Sequence, residues 1–382
     1  MGAVRFTYNW ALGHLLRKRR GLRYNVFELR KLFVNAKSIP PAKKFLLDTP
    51  KHVRDGALDD LVAGFKLNMQ KRKKDPSHRF RMSFRSRKQG DSSVVIPKAS
   101  LKLLHEGRCD SLRMYPQYLK NALRVRTRLG KNDDGTRSVP AHDCRLVMDR
   151  LGRFYLHVPV ETPANGAAAA RDKQAGGKAE RHWASIDPGV RTFATVYSPT
   201  TGTLDKLADG DAVRLYRLCK SLDDLVSLTC RQKCRKTRKR MQRAQWRLRY
   251  RIRHLVDEVH WKCARWLVTR FAHIVIPPFA SSNMVKRGSR RIRCKTVRQL
   301  LTWSHYRFRQ RLLAVAASSG SRVHVMGEEY TTKACSCCGR LNHAVGGSKI
   351  FKCPHCGLRS DRDGAGARNI FLKNVAISAG GP

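Results

Sequence analysis

Four cysteines near the C-terminus have the spacing of a metal site. They form two C-x-x-C pairs that are separated by fourteen residues, and a glycine follows each pair. Four thiolates in a tetrahedron suit a structural Zn²⁺ with no open position, whereas disulfide or redox pairs are the alternative. A basic chain without a secretion signal favours zinc, so we predict a zinc ribbon at 335–357 with Cys337 outside the ligand set. The predicted ligands are Cys335, Cys338, Cys353 and Cys356.

Carboxylates stand at the ends of predicted strands on both sides of this ribbon. Each has an ordinary explanation, because Asp-Pro-Gly is a common turn and an acid before a helix is a common cap. Together, three carboxylates from three segments can hold two Mg²⁺ ions about 4 Å apart, which activate a water and stabilise the leaving oxygen in phosphodiester cleavage. The candidates are Asp187, Glu328, Glu329, Asp361 and Asp363.

The charge balance predicts a polyanionic partner. The 382-residue chain has 79 Lys+Arg against 28 Asp+Glu, a formal net charge of +51. Self-repulsion of that size is tolerable when a polyanion neutralises it, and a metabolite-sized substrate does not require it. We therefore expect a nucleic acid, with DNA and RNA undecided, and no small-molecule substrate. A ribosomal-type protein or a basic solubilising surface is the alternative.

Two basic segments are candidates for contact with phosphates. Residues 71–88 alternate arginine with Phe and Met, which predicts a strand with one basic face. A helical stretch carries twelve basic residues between Arg231 and Arg253 and no acid; like charges at this density repel one another, which favours nucleic-acid contact over a solvated face. The candidate residues are Arg79, Arg81, Arg85, Arg87, Lys88, Arg235, Lys236, Arg238, Lys239, Arg240, Arg243 and Arg247.

Several elements must position these residues. The N-terminal part predicts helices over 5–47, a helix with Thr49 as its N-cap, and a hairpin at 144–161. Residues 162–181 are rich in Gly and Ala and predict a linker. The order that follows is β-β-β-α-β-α-β-(zinc)-α, with one long helical region over 211–271 and a helix over about 297–317. No apolar run is long enough to span a membrane, so the protein is expected inside the cell.

Three segments resemble the RuvC motifs and embedded zinc ribbon of TnpB-type nucleases, the transposon-encoded relatives of type V CRISPR effectors. They are SIDPGVRTFATVYSP, EEYTTKACSCCG and FKCPHCGLRSDRDGAGARNI. The resemblance extends to TYNWAL, HRFRMSFRSRK and WSHYRFRQRLLAVAASSG, and it is closer to the eukaryotic and viral branch, Fanzor. In TnpB the second acid follows the strand that corresponds to HIVI, where this chain has Pro277. Fanzor proteins instead carry a glutamate just before the first cysteine pair.

The resemblance selects among the acids. It implies Asp187, Glu328 and Asp363 as catalytic Mg²⁺ ligands, with Glu329 as the fallback for Glu328 and Asp361 as a support for the backbone. It also implies an α/β fold with a ribonuclease-H-like (RuvC) nuclease core and an inserted zinc ribbon. The expected regions are 1–161 wedge (β) and recognition (α-helical), 162–181 linker, 182–334 nuclease core with a basic helical insertion, 335–357 zinc ribbon, and 358–382 last RuvC motif with the C-terminal helix.

The function that the resemblance implies is RNA-guided cleavage of DNA. A transposon-derived guide RNA and double-stranded target DNA would be the partners, and Zn²⁺, Mg²⁺ and the guide RNA the cofactors, with a nuclear location in a eukaryotic host. The chain starts almost at the TYN motif, which predicts a reduced wedge or a truncated reading frame. Two alternatives are a catalytically weak RNA-guided regulator and a transposase or recombinase that works without RNA.

Overall fold

Two hydrophobic cores organise the chain. In the computed structural model they belong to two units, Met1–Glu161 and Thr162–Pro382. The structure describes residues 1–17, 25–87, 90, 92–106, 109–125, 142–159, 182–288, 292–346 and 348–379. The predicted linker at 162–181 and the candidate Lys88 lie outside these ranges. No helix in them is both long and apolar enough to cross a membrane.

The first unit combines helices with two small antiparallel sheets. The sheets have the orders β1-β5-β6 and β2-β3-β4, and helices α1 and α3 supply most of the core with Leu12, Leu58 and Leu61. The predicted hairpin is β5-β6, turning at 149–153. The elements are α1 (Gly2–Arg17), α2 (Val26–Phe33), α3 (Lys51–Lys74), β1 (Ser92–Ile96), β2 (Leu101–Glu106), β3 (Cys109–Met114), β4 (Leu123–Val125), β5 (Cys144–Met148) and β6 (Phe154–His157), with 3₁₀ turns at Ala36–Ser38, Pro41–Asp48 and Lys98–Ser100.

Two sequence predictions for this unit are wrong in detail. Helix α3 is preceded directly by Pro50, whose ψ of 141° is extended, so Thr49 lies one residue too early to be the N-cap. The predicted basic strand at 71–88 is also incorrect, because its first residues end α3 and residues 75–87 pair with no strand. The Asn9 side chain binds the backbone N–H and C=O of Arg85 at 2.7 and 2.8 Å, and so takes the place of a neighbouring strand.

The second unit is built on a five-stranded sheet of order β11-β10-β7-β8-β9. Strands β7, β8 and β9 are antiparallel, whereas β10 runs parallel to β7 and β11 parallel to β10. This element order is the one expected from the sequence. The elements are β7 (Trp183–Pro188), β8 (Ala194–Tyr197), β9 (Leu204–Leu207), α4 (Asp211–Arg231), α5 (Arg235–Arg270), β10 (His273–Ile276), α6 (Ser281–Met284), α7 (Cys294–Trp303), α8 (His305–Ser319), β11 (Arg322–Val325), β12 (Ile350–Lys352), β13 (Arg359–Asp361) and α9 (Arg362–Ala379).

The two faces of β7 explain how the sheet is covered. Side chains alternate along a strand, and Ala184 and Ile186 point into the core that α5 and α8 build with Leu267 and Leu312. The opposite face carries Ser185, whose hydroxyl donates a 2.7 Å hydrogen bond to a carbonyl of α9. Asp187 follows two residues later and therefore lies on the α9 side.

Both predicted long helical segments are interrupted. The region 211–271 is a hairpin of α4 and α5 rather than one helix, and the Gln245 amide at 2.6 Å from the Thr229 hydroxyl fixes the two helices together near the turn. Neither glycine nor proline marks this break, so periodicity misses it. The second break is at Ser304, which has a left-handed φ of 52° and separates α7 from α8.

Candidate active site and zinc cluster

Parallel strands bring two of the predicted acids to one edge of the sheet. Asp187 lies near the carboxyl end of β7, and Glu328 follows the carboxyl end of β11 by three residues. Between them, β10 ends at Ile276 and continues into Pro277, which has no metal-binding atom in its side chain. This edge of an open α/β sheet is where ligands usually bind.

Helix α9 brings the third acid to the same edge. Asp363 is in the first turn of α9, and Gly366 one turn later contacts the Asp187 carboxyl group so closely that a Cβ there would lie 2.6 Å from Asp187 Oδ2. Asp363, Gly366 and Asn369 recur every three residues and therefore share one helix face. The spacing is visible in the sequence, although only Asp363 was singled out from it as a site residue.

The carboxylates at this edge repel one another. Asp187 is half-buried, and desolvation followed by the charges of Asp363 and Glu328 raises its pKa from 3.8 to about 8, with Arg362 opposing the shift. The pKa of Glu328 is also raised, first by burial and then by Glu329. Acids held together without a matching number of cations are the donor set that a divalent metal ion neutralises.

The two remaining candidate acids are engaged by lysines. The Glu329 carboxylate is exposed and forms an ion pair with Lys373 of α9, and this hydrogen bond is the first cause of its lowered pKa. Asp361 forms a 2.6 Å ion pair with Lys206 and accepts a hydrogen bond from the backbone N–H of Asp363. Asp361 thus fixes the start of α9, whereas Glu328 is the glutamate whose charge acts on Asp187.

An aromatic cluster holds the loop that follows Asp187. Phe193 is fully buried and stacks on His305 with ring centroids 5.1 Å apart, and it contacts the Trp303 ring at 4.9 Å. The Trp303 indole N–H donates a 3.0 Å hydrogen bond to the Val190 carbonyl. The Trp303 carbonyl in turn lies 2.8 Å from Nε2 of buried His260. Helices α5, α7 and α8 therefore fix the turn that presents Asp187. Nothing in the sequence pattern indicated this role for Trp303.

The four predicted zinc ligands form one cluster. Their sulfur atoms lie within 4.8 Å of one another, and no other group of three or more His, Cys, Asp or Glu side chains is as tight among the residues that the structure describes. The Cys335–Cys356 and Cys338–Cys353 sulfur atoms are 3.6 and 3.7 Å apart. A tetrahedral Zn²⁺ with Zn–S bonds of about 2.3 Å requires sulfur atoms roughly 3.8 Å apart, so the four thiols fit this ion.

Each cysteine pair has the same local conformation. Gly339 and Gly357 have φ values of 72° and 73°, a left-handed conformation that glycine adopts without strain. Backbone N–H groups donate to the first sulfur of each pair, from Cys337 to Cys335 and from His355 to Cys353. Cys337 is exposed and lies outside the cluster.

Helix α9 also connects the acids to the cysteine cluster. The buried side-chain amide of Asn369 donates two 2.8 Å hydrogen bonds, to the carbonyls of Thr331 and Ala334. These residues lie in the segment that leads from Glu328 to Cys335. One helix therefore fixes both the third carboxylate and the entry to the cysteine cluster.

The basic candidates fall into two groups. Of those in the first unit, Arg79, Arg81 and Arg87 are exposed, but Arg85 lies over the Tyr8 ring at 4.0 Å and forms a 3.0 Å ion pair with Asp60. We therefore assign Arg85 to the fold rather than to a free surface. Every basic residue of α5 between Arg235 and Arg253 is exposed, and so are Arg231 and Lys233 just before the helix. In the described part of the chain, none of these twelve residues forms an ion pair with a carboxylate.

Known proteins are similar to this chain in sequence. The family model "Cas12f1-like, TNB domain" matches residues 305–370, which include Glu328, the cysteine cluster and Asp363. A protein named "Putative transposase" of Paramecium bursaria Chlorella virus 1 is 26% identical over 99% of this chain and 83% of its own length. A TnpB-like protein of Acanthamoeba polyphaga mimivirus is 30% identical over 50% of this chain and 37% of its own length. The chain is therefore similar to viral TnpB-like proteins and, over residues 305–370, to the Cas12f1-like family model.

The fold of this chain is also shared with a solved structure. A chain in the cryo-EM structure of the Cas12f1-sgRNA-target DNA complex superposes with a TM-score of 0.52 at 12% identity, over 96% of this chain and 81% of that one. At this identity the likeness establishes a common α/β fold. The match to the mimivirus protein covers little more than a third of that protein's length.

The cysteine cluster predicts selective loss of zinc. Cys353→Ser removes one ligand, and the purified protein should lose one equivalent of zinc because three thiolates do not complete the tetrahedron. Cys337→Ser is the matched control and should retain the zinc of the native protein. Zinc released by a thiol-modifying reagent and measured with a colorimetric chelator gives the stoichiometry. Equal zinc contents in the two variants would contradict the assignment.

The contact between Gly366 and Asp187 predicts weaker binding of magnesium in Gly366→Ala. A methyl group 2.6 Å from Oδ2 must displace the carboxylate, and we expect Mg²⁺ affinity to fall by about 10–100-fold, as for disturbed supports of metal ligands. Gly364→Ala is the control, because its methyl group would meet only the flexible end of the Leu204 side chain. Calorimetric titration of both variants measures the difference, and equal affinities would refute the positioning role.

The raised pKa of Asp187 predicts a pH-dependent gain in stability for Asp187→Asn. Because this pKa of about 8 lies above the usual 3.8, the folded state retains a proton that the unfolded state loses, and stability decreases as pH rises between these values. Without added magnesium, the melting temperature of the variant should therefore exceed that of the native protein by more at pH 8 than at pH 4.5. A gain that does not change with pH would contradict the shift.

Proposed function

We propose that this protein is an RNA-guided DNA endonuclease of the Fanzor branch, which binds a transposon-derived guide RNA and cuts target DNA. The observation that carries the proposal is the convergence of Asp187, Glu328 and Asp363 at one edge of the sheet, next to the cysteine cluster. The strand order, in which three antiparallel strands precede two parallel ones, supports a ribonuclease-H-like core of the RuvC type.

In this proposal each carboxylate is a ligand for catalytic Mg²⁺. When bound, the ions would activate a water and stabilise the leaving oxygen of the phosphodiester. Asp187 would be a ligand shared with both other acids, because the charges of Asp363 and Glu328 act on its carboxylate. Asp361 would hold the start of α9, and Lys373 would keep Glu329 directed away from the site.

The basic surface supports a nucleic-acid partner. Base pairing by a guide reads the target sequence, so the protein requires charge along the backbone more than base-specific side chains. The exposed arginines and lysines between Arg231 and Arg253 provide such charge, and among the described residues none of them forms an ion pair with a carboxylate. Zn²⁺ would be structural, because four thiolates leave no coordination position open.

Alanine variants of the acids test the catalytic assignment. Asp187→Ala, Glu328→Ala and Asp363→Ala should each lower the cleavage rate by roughly 10²–10³-fold, since each removes several kcal/mol of charge stabilisation, while RNA binding persists. Glu329→Ala is the matched control beside Glu328 and should cut at close to the native rate. Plasmid cleavage, measured with the RNA that co-purifies with each variant, provides the comparison.

The outcomes separate the rival functions. Native cleavage by Asp187→Ala would overturn the site. A native protein that binds a defined RNA and its target without cutting would be a guided regulator instead. Cleavage by a preparation free of RNA would identify a transposase- or recombinase-type nuclease.

A further inference from the structure

Four arginines from three helices surround a cavity of about 270 Å³ in the second unit. The cavity lies between α4, α5, α7 and α8 and shares no lining residue with the carboxylate edge. The arginines are Arg249 and Arg253 of α5, Arg298 of α7 and Arg307 of α8.

The cavity combines a cationic rim with an apolar wall. Leu222 of α4 and Ile252 and Val256 of α5 line it, together with the hydroxyl-bearing residues Thr302 and Ser304. Guanidinium groups bind phosphate through paired hydrogen bonds, and an apolar wall accepts the face of a base or sugar. One nucleotide presents both kinds of surface, whereas an inorganic anion uses only the rim.

The arginines of the rim have N–H groups that are available to bind an anion. Arg249 and Arg253 lie against the rings of Trp246 and Tyr250, at 4.9 and 5.5 Å, and among the described residues neither has a carboxylate partner. Arg298 forms a 2.7 Å ion pair with an exposed aspartate, yet its Nε atom is buried without a hydrogen-bond partner.

The position of the cavity connects it to the basic surface. Arg249 and Arg253 are the tenth and the last of the twelve basic residues that begin at Arg231. A strand whose phosphates follow the exposed side of α5 would therefore reach the cavity at the end of this surface.

We propose that this cavity binds one nucleotide of the nucleic-acid strand that follows α5, with the phosphate on the arginines and the base or sugar on the apolar wall. The inference rests on the proposed nucleic-acid binding and is independent of cleavage. RNA and DNA offer the same phosphate and base chemistry, and the experiment below distinguishes them.

Binding of a nucleotide in this cavity would also affect the loop that presents Asp187. Thr302 and Ser304 line the cavity and flank Trp303, whose indole holds the Val190 carbonyl. An occupied cavity would fix the junction of α7 and α8, and through Trp303 it would fix the Asp187 loop.

The first test fills the cavity without changing its charge. Ile252→Trp should weaken one of two affinities by about tenfold or more, because it removes the contact with one base. The affected affinity is that of the protein for the co-purifying RNA or that of the RNA-loaded complex for its target duplex. Leu255→Trp is the matched control on the same helix, because it fills a neighbouring cavity of about 170 Å³ that Asp211 and Glu258 line. Its affinities should stay within about twofold of the native values. Circular dichroism and melting temperatures would show that both variants fold.

The second test separates the cavity from general charge. A photoreactive 4-thiouridine transcript of the co-purifying RNA and a 4-thiothymidine target duplex are crosslinked in parallel, and the modified peptides are identified by mass spectrometry. A crosslink at 249–256 or 298–307 from the transcript assigns RNA, and one from the duplex assigns DNA. Arg249→Ala/Arg253→Ala should abolish this crosslink. Lys262→Ala/Arg265→Ala, which removes the same charge from exposed residues of α5 beyond the basic surface, should leave it in place.

The results distinguish a failed inference from a failed function. Equal affinities for Ile252→Trp and Leu255→Trp, with crosslinks only outside the cavity, would overturn the nucleotide site while leaving the nuclease proposal intact. A native protein that binds neither RNA nor DNA would overturn both.

Discussion

The repulsion among Asp187, Glu328 and Asp363 is the interaction on which the rest of the second unit depends. The charges of Asp363 and Glu328 raise the pKa of Asp187, and carboxylates of like charge separate unless the surrounding fold holds them. Phe193 and Trp303 fix the turn after Asp187, and Asn369 fixes the segment after Glu328. The fold therefore holds like charges close together at the sheet edge. Buried aromatic contacts and paired hydrogen bonds offset the cost of this repulsion. Such local cost is characteristic of sites rather than of scaffolds.

The acidic and basic side chains are distributed unevenly over the chain. In a chain of net charge +51, some of the carboxylates pair with Arg85, Lys206 and Lys373, and others form the sheet edge. Between Arg235 and Arg253, helix α5 makes no ion pair with a carboxylate in the described part of the chain. Its buried residues, such as Val256 and Leu267, nevertheless belong to the core beneath the Asp187 loop. One helix thus has an exposed basic surface at its start and supports the acidic edge of the sheet at its end.

Much of this could be predicted from the residues, and the limits have physical causes. The order of the strands followed from apolar runs, and the cysteine cluster followed from spacing, because both are local patterns. The resemblance chose Glu328 over Glu329, and the ion pair of Glu329 with Lys373 gives that choice a geometric basis. The basic segment before residue 88 was mistaken for a strand because its alternation is real, but its hydrogen bonds go to the Asn9 side chain. The role of Trp303 was not predictable, since it depends on a contact with Val190 far away in sequence.

The position of α9 has a consequence for damaged forms of the protein. This helix supplies Asp363, seats the Asp187 carboxylate against Gly366 and secures the cysteine-cluster entry through Asn369. A chain that stopped before Arg362 would retain the exposed arginines and lysines of α5 and all four cysteines, but it would lack the third acid and both supports. Under the proposed function, such a fragment would bind nucleic acid without cutting it. Nonsense mutations late in the gene would then inhibit the native protein as well as remove activity.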